Sequence, residues 1–526
     1  MPVTDFVKRG AGTARSAAVV AGLVLLVVIV SVSRQGEPIA PVSDTAVLES
    51  YTVAASRGEL LVGPYSRYEW HHPGPLYLYL LVPFYSLSGK LTLGLAAGAL
   101  AINLAALGFI AWTVTTAAGG VFGATVMGVI ALYVWRFAPM LASPWNPHVI
   151  VLPAVALIVL TASVVSGRMA LLPLVAVVAT FITQTHLGGG PYALTLSAVA
   201  LASTLLAARS PERRSSMLTT AIVALAVAVV LWAPAFWEEM TRTPGNITKL
   251  WTFFFSRPHA GLPFKDSYAA WVDALSGFVR PGFRLAAGSV VRRSRTSWAE
   301  AWVLAQMALL LVSAALAVRA NRRFQAALAI LLLGASLVGL WSVTRIEIEI
   351  VDHEIFWLSG LGVLGLATVV GSALSEVLSG DTPRLRWAPA ICAAAFAIVA
   401  VLGVRHLWLR ARAPARLEQV AATKFGTALA GRIRATGHKP LIRIDQDAWP
   451  VATGLVASLT KEGLAFAVED DWLPMFLESA KATGREDEVI SIVARKRFAT
   501  LEGASQMSTV AAEDPYYMLA GEPGAR

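Results

Sequence analysis

The side chains best suited to chemistry in this 526-residue chain lie in five polar segments between long apolar runs. The segments are residues 34–73, 140–148, 184–191, 235–297 and 343–355. If every apolar run between them crosses a membrane once, all five segments open on the same face. A protein that works on both faces would distribute its polar groups over both, so this arrangement indicates an enzyme acting at a membrane surface.

The first polar segment combines carboxylates, a cation and aromatic rings. Asp44 and Glu49 can accept a proton from a hydroxyl group. Arg67 can bind a phosphate group, and Trp70 can offer its ring face to a sugar. Alternatively, Ser43 caps a helix that places Asp44 in its first turn, where a negative charge is favourable, and Glu49 is a solvated helix residue.

His71 and His72 are further catalytic candidates in the same segment. Adjacent side chains point apart on most backbones, so this pair is not expected to hold a metal ion by itself. We expect one histidine near a reaction centre and the other in a structural role.

Composition identifies the class of protein that must position these residues. Of the residues, 56% are hydrophobic and 14% charged, and the mean hydropathy is +0.63. Apolar runs near the ~20 residues that a ~30 Å hydrocarbon core requires recur along the chain. The sequence predicts a mostly α-helical, polytopic membrane protein. The single cysteine, Cys392, lies in an apolar run, so one chain offers no disulfide or thiolate metal site.

About eleven transmembrane helices are predicted, at residues 16–33, 92–115, 120–139, 149–167, 169–184, 190–208, 217–234, 298–318, 325–342, 356–376 and 388–408. Lys8, Arg9 and Arg15 precede the first span, and arginines recur in short loops of the same side, which places the N-terminus in the cytoplasm. Residues 75–88, interrupted by Pro83, are expected to lie in the outer interface. A cleaved signal peptide is the alternative for the first span, although no clear cleavage site follows it.

The composition changes after the last predicted span and divides the chain into two domains. Residues 1–408 form the membrane domain with its catalytic first outer loop at 34–91, and residues 409–526 form a small soluble α/β domain outside the cytoplasm. Strands are predicted at 441–444, 464–468 and 488–494, helices at 448–461 and 471–480, and a loosely ordered tail over about the last 25 residues. The net charge of +10 is dispersed over many loops, which indicates contact with anionic lipids and not with nucleic acid.

The first outer loop resembles that of the GT-C membrane glycosyltransferases, which use polyprenyl-phosphate-linked sugars. The resemblance lies in a loop carboxylate, Asp44, followed by an aromatic-rich segment and the sequence PGPLYLYL at 73–80. It implies inverting transfer, in which the carboxylate acts as base or orients the acceptor hydroxyl while a lipid phosphate leaves the anomeric carbon. Thr45 stands where the common pattern has a second acidic residue, which leaves open whether Glu49 assists and whether a divalent metal takes part. No other cofactor is implied.

The later polar segments suit that mechanism, because a departing phosphate requires positive charge. Arg345, at the outer end of the ninth span, is the best placed cation, followed by His353, Arg257 and Arg67. The expected lining of a sugar or acceptor pocket is Trp70, Trp145, His148, Gln184 and His186. Alternatively, the arginines are interfacial anchors and the polar segments are short turns packed among helices.

These features predict a glycosyltransferase, for hexoses or pentoses, of the bacterial cytoplasmic membrane, with its active site and C-terminal domain outside the cytoplasm. Its expected partners are a polyprenyl-phosphate-linked sugar donor, a glycan, lipid or protein acceptor, and the lipid bilayer. The alternatives are a transporter or flippase of lipid-linked sugars, a ligase of lipid-linked glycans and a non-catalytic sensor. Coupled transporters usually hold ionisable residues near the bilayer midplane, which the predicted spans almost lack.

Overall fold

The computed structural model describes residues 39–209, 211–256, 262–285, 291, 297–378, 387–498 and 507–521. The α-helices within these residues are α1 (Ser43–Ser56), α2 (Leu76–Leu87), α3 (Thr92–Ala118), α4 (Gly120–Arg136), α5 (Asn146–Val149), α6 (Val151–Val165), α7 (Leu172–Thr185), α8 (Gly190–Ala207), α9 (Pro211–Thr241), α10 (Asn246–Trp251), α11 (Phe264–Leu275), α12 (Ser297–Arg319), α13 (Arg323–Val343), α14 (Phe356–Val377), α15 (Ala388–Ala411), α16 (Leu417–Thr436), α17 (Trp449–Glu462) and α18 (Arg495–Phe498). The strands are β1 (Pro440–Ile444), β2 (Ala467–Val468), β3 (Glu488–Ala494), β4 (Ser508–Glu513) and β5 (Tyr516–Gly521).

Among the described residues, eight helices are long and apolar enough to cross a membrane. They are α3, α5 with α6, α8 with the turn before it, and α9, α12, α13, α14 and α15. Two further predicted spans form shorter apolar helices, Gly120–Arg136 and Met169–Thr185. Within residues 75–88, Leu76–Leu87 form the 12-residue α2, which contains Pro83. The predicted span at 16–33, with the basic residues before it, lies outside the described residues, as does Arg257. The predicted class, a mostly helical polytopic membrane protein with a small C-terminal sheet, is confirmed.

The structure divides into two compact units, and residues 99–408 belong to the first. Its most enclosed helix is α6, in which every residue from Val151 to Val164 is buried. It packs against α7, α8, α13 and α14, which explains why its sequence is apolar on all sides. In α9 the apolar side chains instead face outward, with Ile222 and Leu225 each 65% exposed. Such an exposed apolar surface suits lipid, not water.

The second unit contains residues 39–98 together with the C-terminal segment that begins at residue 409. Its five-stranded sheet has the order β2-β1-β3-β5-β4. β1 pairs in parallel with β2 and β3, and β5 pairs antiparallel with β3 and β4. α16 packs on α17, and α17 also packs along α1. The core of this unit includes Phe425, Leu455, Ile490 and Met518, each 0% exposed.

Three local predictions for the C-terminal segment need correction. The strand predicted at 464–468 is only Ala467–Val468. The helix predicted at 471–480 consists of two 3₁₀ turns, because Pro474 cannot continue an α-helical hydrogen-bond pattern. The last 25 or so residues are not a loose tail as far as they are described: β4 and β5 lie there, β5 pairs with the central β3, and β4 pairs with β5.

Candidate functional site

The start of α1 carries Asp44 on a strained piece of backbone. Asp44 lies in the first turn, as the sequence predicted. The alternative interpretation, in which Ser43 caps this helix, is wrong, because no side chain caps the helix start and Ser43 itself has a φ of 55°. Holding a non-glycine residue at positive φ costs about 1–3 kcal/mol, and such strain is common where a neighbouring side chain must be directed. Capping by Ser43 therefore does not account for this sequence.

The C-terminal segment fixes the chain just before α1. The backbone N–H of Ala40 donates to Oγ1 of Thr423 at 2.9 Å. A Cβ atom at Gly454 of α17 would collide with the carbonyl oxygen of Pro41, so glycine is required for this close approach. The position of Asp44 thus depends on α16 and α17, two helices near the other end of the chain.

Residues 63–72 fold back on themselves as a short hairpin beside α1. The N–H of Gly63 donates to the carbonyl of His72 at 2.9 Å, and the N–H of Ser66 donates to that of Trp70 at 2.9 Å. Glu69 completes the turn at a φ of 65°. The glycine and proline residues of this segment therefore define a fixed path that aims its side chains, as the sequence predicted.

The hairpin brings Tyr65 to Asp44. The Tyr65 hydroxyl donates to Oδ1 of Asp44 at 2.7 Å, and both side chains are half-buried. Burial, and then the negative charge of Asp44, raise the pKa of Tyr65 well above its usual value, so that the hydroxyl remains a donor. A carboxylate that accepts a hydrogen bond from a half-buried tyrosine is restricted in direction, which is what a base or an acceptor-orienting group requires.

The two histidines of the hairpin have different surroundings. His71 is half-buried, and its Nε2 lies 3.0 Å from the hydroxyl of Tyr51, which also donates to the carbonyl of Met475 at 3.2 Å. His72 is buried, with its ring edge-on to Trp70 at 5.5 Å. These contacts agree with the expectation that the adjacent side chains do not form a pair.

Arg67 lies at the exposed tip of the hairpin. Its guanidinium is placed over the ring of Tyr68 at 4.9 Å and donates to the Tyr68 hydroxyl at 2.9 Å. The Tyr68 ring in turn stacks with Trp70 at 5.9 Å. This row of side chains offers a cation and aromatic faces on one surface of the hairpin.

Glu49 lies on another face of α1. It is 2% exposed and accepts hydrogen bonds from the hydroxyls of Tyr85 at 2.8 Å and Thr92 at 2.5 Å. The ammonium group of Lys461 lies 3.5 Å from its Oε1. Five residues along a helix correspond to a rotation of about 140°, so Glu49 and Asp44 point in different directions. The structure does not bring these two predicted carboxylates together.

In the first unit, three of the segments predicted to lie outside meet at one end of the helices. Asn146 donates to the carbonyl of Thr185 at 3.1 Å, and Ser342 donates to that of Gly188 at 2.8 Å. Residues 140–148, 184–191 and 343–355 therefore form a single polar region, which we call the turn cluster. The membrane side on which it lies remains a prediction.

Aromatic and imidazole rings pack together in the turn cluster. The Trp145 ring lies 5.1 Å from that of His148 and 4.9 Å from that of His353. His148 stacks on Phe356 at 5.3 Å, and its Nδ1 lies 2.9 Å from Oγ of Ser143. Three predicted site residues, Trp145, His148 and His353, are thus brought into contact, and all three remain half-buried.

Gln184 and His186 are more deeply placed. Gln184 is 0% exposed, and its side chain donates to the carbonyl of Leu231 in α9 at 2.9 Å. His186 is 6% exposed. Burial lowers the pKa of His186 to about 4, against smaller opposing effects of the backbone of Glu354 and His353. His186 is therefore neutral at physiological pH, and both side chains join helices or turns instead of lining an open surface.

Arg345 lies just beyond the C-terminal end of α13 and is exposed. Its guanidinium is placed over the ring of Trp341 at 5.0 Å. Stacking on an aromatic ring restricts the arginine while leaving its planar donors directed outward.

The residues that the sequence missed are the tyrosines that hold its candidates, Tyr65 for Asp44 and Tyr51 for His71. The sequence contained a signal for Tyr51, because Tyr51 follows Asp44 by seven residues. Residues seven apart on a helix lie within about 20° of the same face. Tyr65 was visible only as one of several aromatic residues. Within the described parts of the chain, no group of three or more His, Cys, Asp or Glu side chains could hold a metal ion.

No model of a protein family matches this sequence, and no curated protein matches it. Among solved structures, the chain is similar to ArnT from Cupriavidus metallidurans bound to undecaprenyl phosphate, at 15% identity and a TM-score of 0.49, with 96% of this chain and 97% of that chain covered. ArnT in the apo state matches at 13% identity and a TM-score of 0.48, covering 96% and 98% of the two chains. The Archaeoglobus fulgidus oligosaccharyltransferase in its apo form matches at 12% identity and a TM-score of 0.41, with 91% of this chain and 70% of that chain covered.

Proposed function

We propose that this protein is a membrane glycosyltransferase that moves a sugar from a polyprenyl-phosphate-linked donor to a hydroxyl-bearing acceptor. The observation that carries the proposal is the carboxylate of Asp44, which follows a strained residue and is oriented by Tyr65 at 2.7 Å. It lies in the same loop as the sequence PGPLYLYL at 73–80, where the resemblance to GT-C enzymes is found.

The proposed reaction is a single displacement at the anomeric carbon. The acceptor oxygen forms a bond to that carbon as the bond to the donor phosphate breaks, so that the polyprenyl phosphate departs with the bonding electron pair. Asp44 receives the acceptor's proton or directs its hydroxyl, and Tyr65 keeps the carboxylate in place. Attack opposite the leaving group inverts the anomeric configuration.

Donor binding is proposed to depend on Arg345. An exposed guanidinium restricted by Trp341 can form two parallel hydrogen bonds with a phosphate. The negative charge that grows on the departing phosphate makes such a contact stronger in the transition state than in the ground state. His353, in the turn cluster, and Arg67, at the hairpin tip, are the next candidates.

The sugar or acceptor is proposed to contact half-buried rings. Trp145 and His148 present an aromatic surface with a polar edge, and the half-buried Tyr68, which stacks on the buried Trp70, presents a second one. Gln184 and His186 are too deeply buried for direct contact and are proposed to support the turn cluster.

The proposed location is the outer face of a bacterial cytoplasmic membrane, and it can be tested without substrate. A topology reporter fused after residue 320 should report the cytoplasm, and one fused at residue 440 should report the exterior. If both fusions report the same side, the predicted number of crossings is wrong and the polar segments do not share one outer face.

Transfer itself is tested with the full-length protein in liposomes. A panel of polyprenyl-phosphate sugars labelled in the sugar is supplied, beginning with undecaprenyl-phosphate derivatives, and a cell-envelope extract serves as acceptor. We expect release of polyprenyl phosphate from at least one donor, together with a labelled product of inverted configuration, and no release by the Asp44→Asn variant. Turnover of nucleotide sugars alone, or identical release by the Asp44→Asn variant, would contradict the proposal.

A further inference from the structure

A cavity of about 480 Å³ lies within the first unit, at the end opposite the turn cluster along α13 and α14. It is lined by the turn between α3 and α4, by the turn between α6 and α7, by residues 321–325, and by the last residues of α14. The sequence predicts that all four segments face the cytoplasm. The volume is within the ~300–1,000 Å³ typical of small-molecule sites.

Three arginines line this cavity. Arg168 is half-buried and donates to Oγ1 of Thr116 at 2.6 Å and to the Thr116 carbonyl. Arg322 pairs with Glu376 at 2.6 Å. Arg323 is exposed and, among the described residues, is not paired with a carboxylate. The lining therefore has an excess of positive charge in the form that binds phosphate best, because a planar guanidinium can form two parallel hydrogen bonds with it.

A buried amide adds a second, independent sign of a ligand. Gln325 lines the cavity and is 4% exposed, yet its Oε1 has no hydrogen-bond partner among the described residues. Because the two ends of an amide can exchange by a flip, Gln325 can present its NH₂ group to an anion in the cavity. The start of α13 has no side-chain cap, so its first backbone N–H groups are also available to an anion.

The rest of the lining combines three small polar residues, Ser166, Asn321 and Ser375, with apolar ones. Val121, Phe122 and Phe324 contribute carbon surface beside the arginines. A site with a cationic side and an apolar side suits a phosphate group attached to a small organic or glycerolipid moiety.

We propose that this cavity binds a phosphate group, presented either by an anionic lipid of the adjacent leaflet or by a soluble phosphate compound. The site is separate from the proposed chemistry, since its residues lie at the other ends of the helices that carry Arg345 and Phe356. Anionic lipids are abundant on the cytoplasmic side of membranes, where the sequence places these segments.

The test uses the full-length protein in a neutral detergent, with phosphatidylglycerol, phosphatidylcholine and inorganic phosphate as separate probes. Binding is followed by native mass spectrometry and by the midpoint of thermal unfolding. Saturable binding of phosphatidylglycerol or inorganic phosphate is expected in the wild type, and Arg168→Gln and Arg323→Gln should each weaken it about tenfold. The matched control is Arg209→Gln, an exposed arginine on the same predicted side that does not line the cavity.

The outcomes separate the sources of the phosphate. Binding of phosphatidylglycerol that inorganic phosphate does not displace supports a lipid, and direct binding of inorganic phosphate that the variants weaken supports a soluble ligand. Arg323→Lys should retain part of the affinity, which would show that weaker binding by Arg323→Gln is not caused by misfolding. An unfolding midpoint that is unchanged in the absence of ligand would show the same for each variant. Equal binding by wild type, Arg168→Gln, Arg323→Gln and Arg209→Gln would overturn the proposal.

Discussion

The two carboxylates of α1 lie five residues apart in surroundings of opposite kinds. Glu49 is enclosed by Tyr85, Thr92 and Lys461, which satisfy its oxygens. Asp44 is half-buried at a strained helix start and is held by a tyrosine from a hairpin. The difference teaches that residue type alone does not identify a catalytic acid or base. What separates the two is burial, because Glu49 is enclosed whereas Asp44 is half-buried and accepts a hydrogen bond from Tyr65.

The first unit repeats this contrast. His186 is buried against the turn cluster, and burial keeps it neutral. Arg345 is exposed and is directed by the ring of Trp341. We therefore propose that Glu49 and His186 contribute to stability, and that Asp44 and Arg345 contribute to chemistry. Each assignment has a measurable consequence.

Apart from the loss of Asp44 itself, the largest expected effect is on the pH dependence of stability, through His186. Its pKa of about 4 in the folded protein lies below the unfolded value near 6.5, so the unfolded chain binds the proton more readily between these values. Stability is then complete above about pH 6.5 and falls as the pH decreases toward 4, by about 3 kcal/mol for this group. Thermal unfolding at about pH 7 and about pH 5 should show a smaller difference for His186→Gln than for wild type. An identical pH dependence of the unfolding midpoint in wild type and His186→Gln would show that His186 does not contribute to stability in this way.

Replacing Arg345 should reduce the use of donor. Loss of a charge-assisted contact of ~1.5–3 kcal/mol lowers kcat/KM for the phosphate-linked donor about tenfold to hundredfold in Arg345→Ala. Arg345→Lys should recover part of the loss, because it keeps the charge but not the planar pair of donors. Arg242→Ala, at an exposed residue of another predicted outer loop, serves as the control. If Arg345→Ala matches that control, Arg345 is an interfacial anchor and Arg67 or His353 must take its role.

A smaller effect is expected when Asp44 loses its partner but keeps its charge. Tyr65→Phe removes the hydroxyl that fixes the carboxylate, and we expect kcat to fall about tenfold with little change in the unfolding midpoint. Tyr79→Phe is the matched control, since the Tyr79 hydroxyl donates at 3.1 Å to the backbone carbonyl of Leu60. A rate for Tyr65→Phe equal to that of Tyr79→Phe would show that the Asp44 carboxylate needs no orientation by the hairpin.

The sequence was sufficient where local patterns decide the structure. The predicted strand at 488–494 is the strand β3, because a short apolar run bounded by polar residues is a local signal. Most apolar helices follow the predicted spans, since length and hydropathy are also local properties. Counting the predicted membrane crossings also placed residues 140–148, 184–191 and 343–355 on one side, and these three segments form the turn cluster.

The partners of the site residues could not be found in this way. Tyr65 reaches Asp44 across 21 residues, Lys461 reaches Glu49 from the other end of the chain, and Gly454 permits the approach of Pro41. These contacts depend on tertiary packing, which leaves no periodic trace in the sequence. The same reason explains β4 and β5, whose pairing with β3 and with each other supplies the order that their composition does not suggest.

The most direct test compares Asp44→Asn with Glu49→Gln in one experiment. For each variant, the rate of sugar transfer per folded molecule and the midpoint of thermal unfolding are measured side by side with the wild type. Asp44→Asn should lose ~10²–10⁴ in rate with a nearly unchanged midpoint, as expected for loss of a base. Glu49→Gln should keep most of its rate and unfold at a lower temperature, because Lys461 loses its carboxylate partner and the hydroxyls of Tyr85 and Thr92 lose a charged acceptor. The opposite pattern, with transfer retained in Asp44→Asn and abolished in folded Glu49→Gln, would contradict the assignment of the two carboxylates.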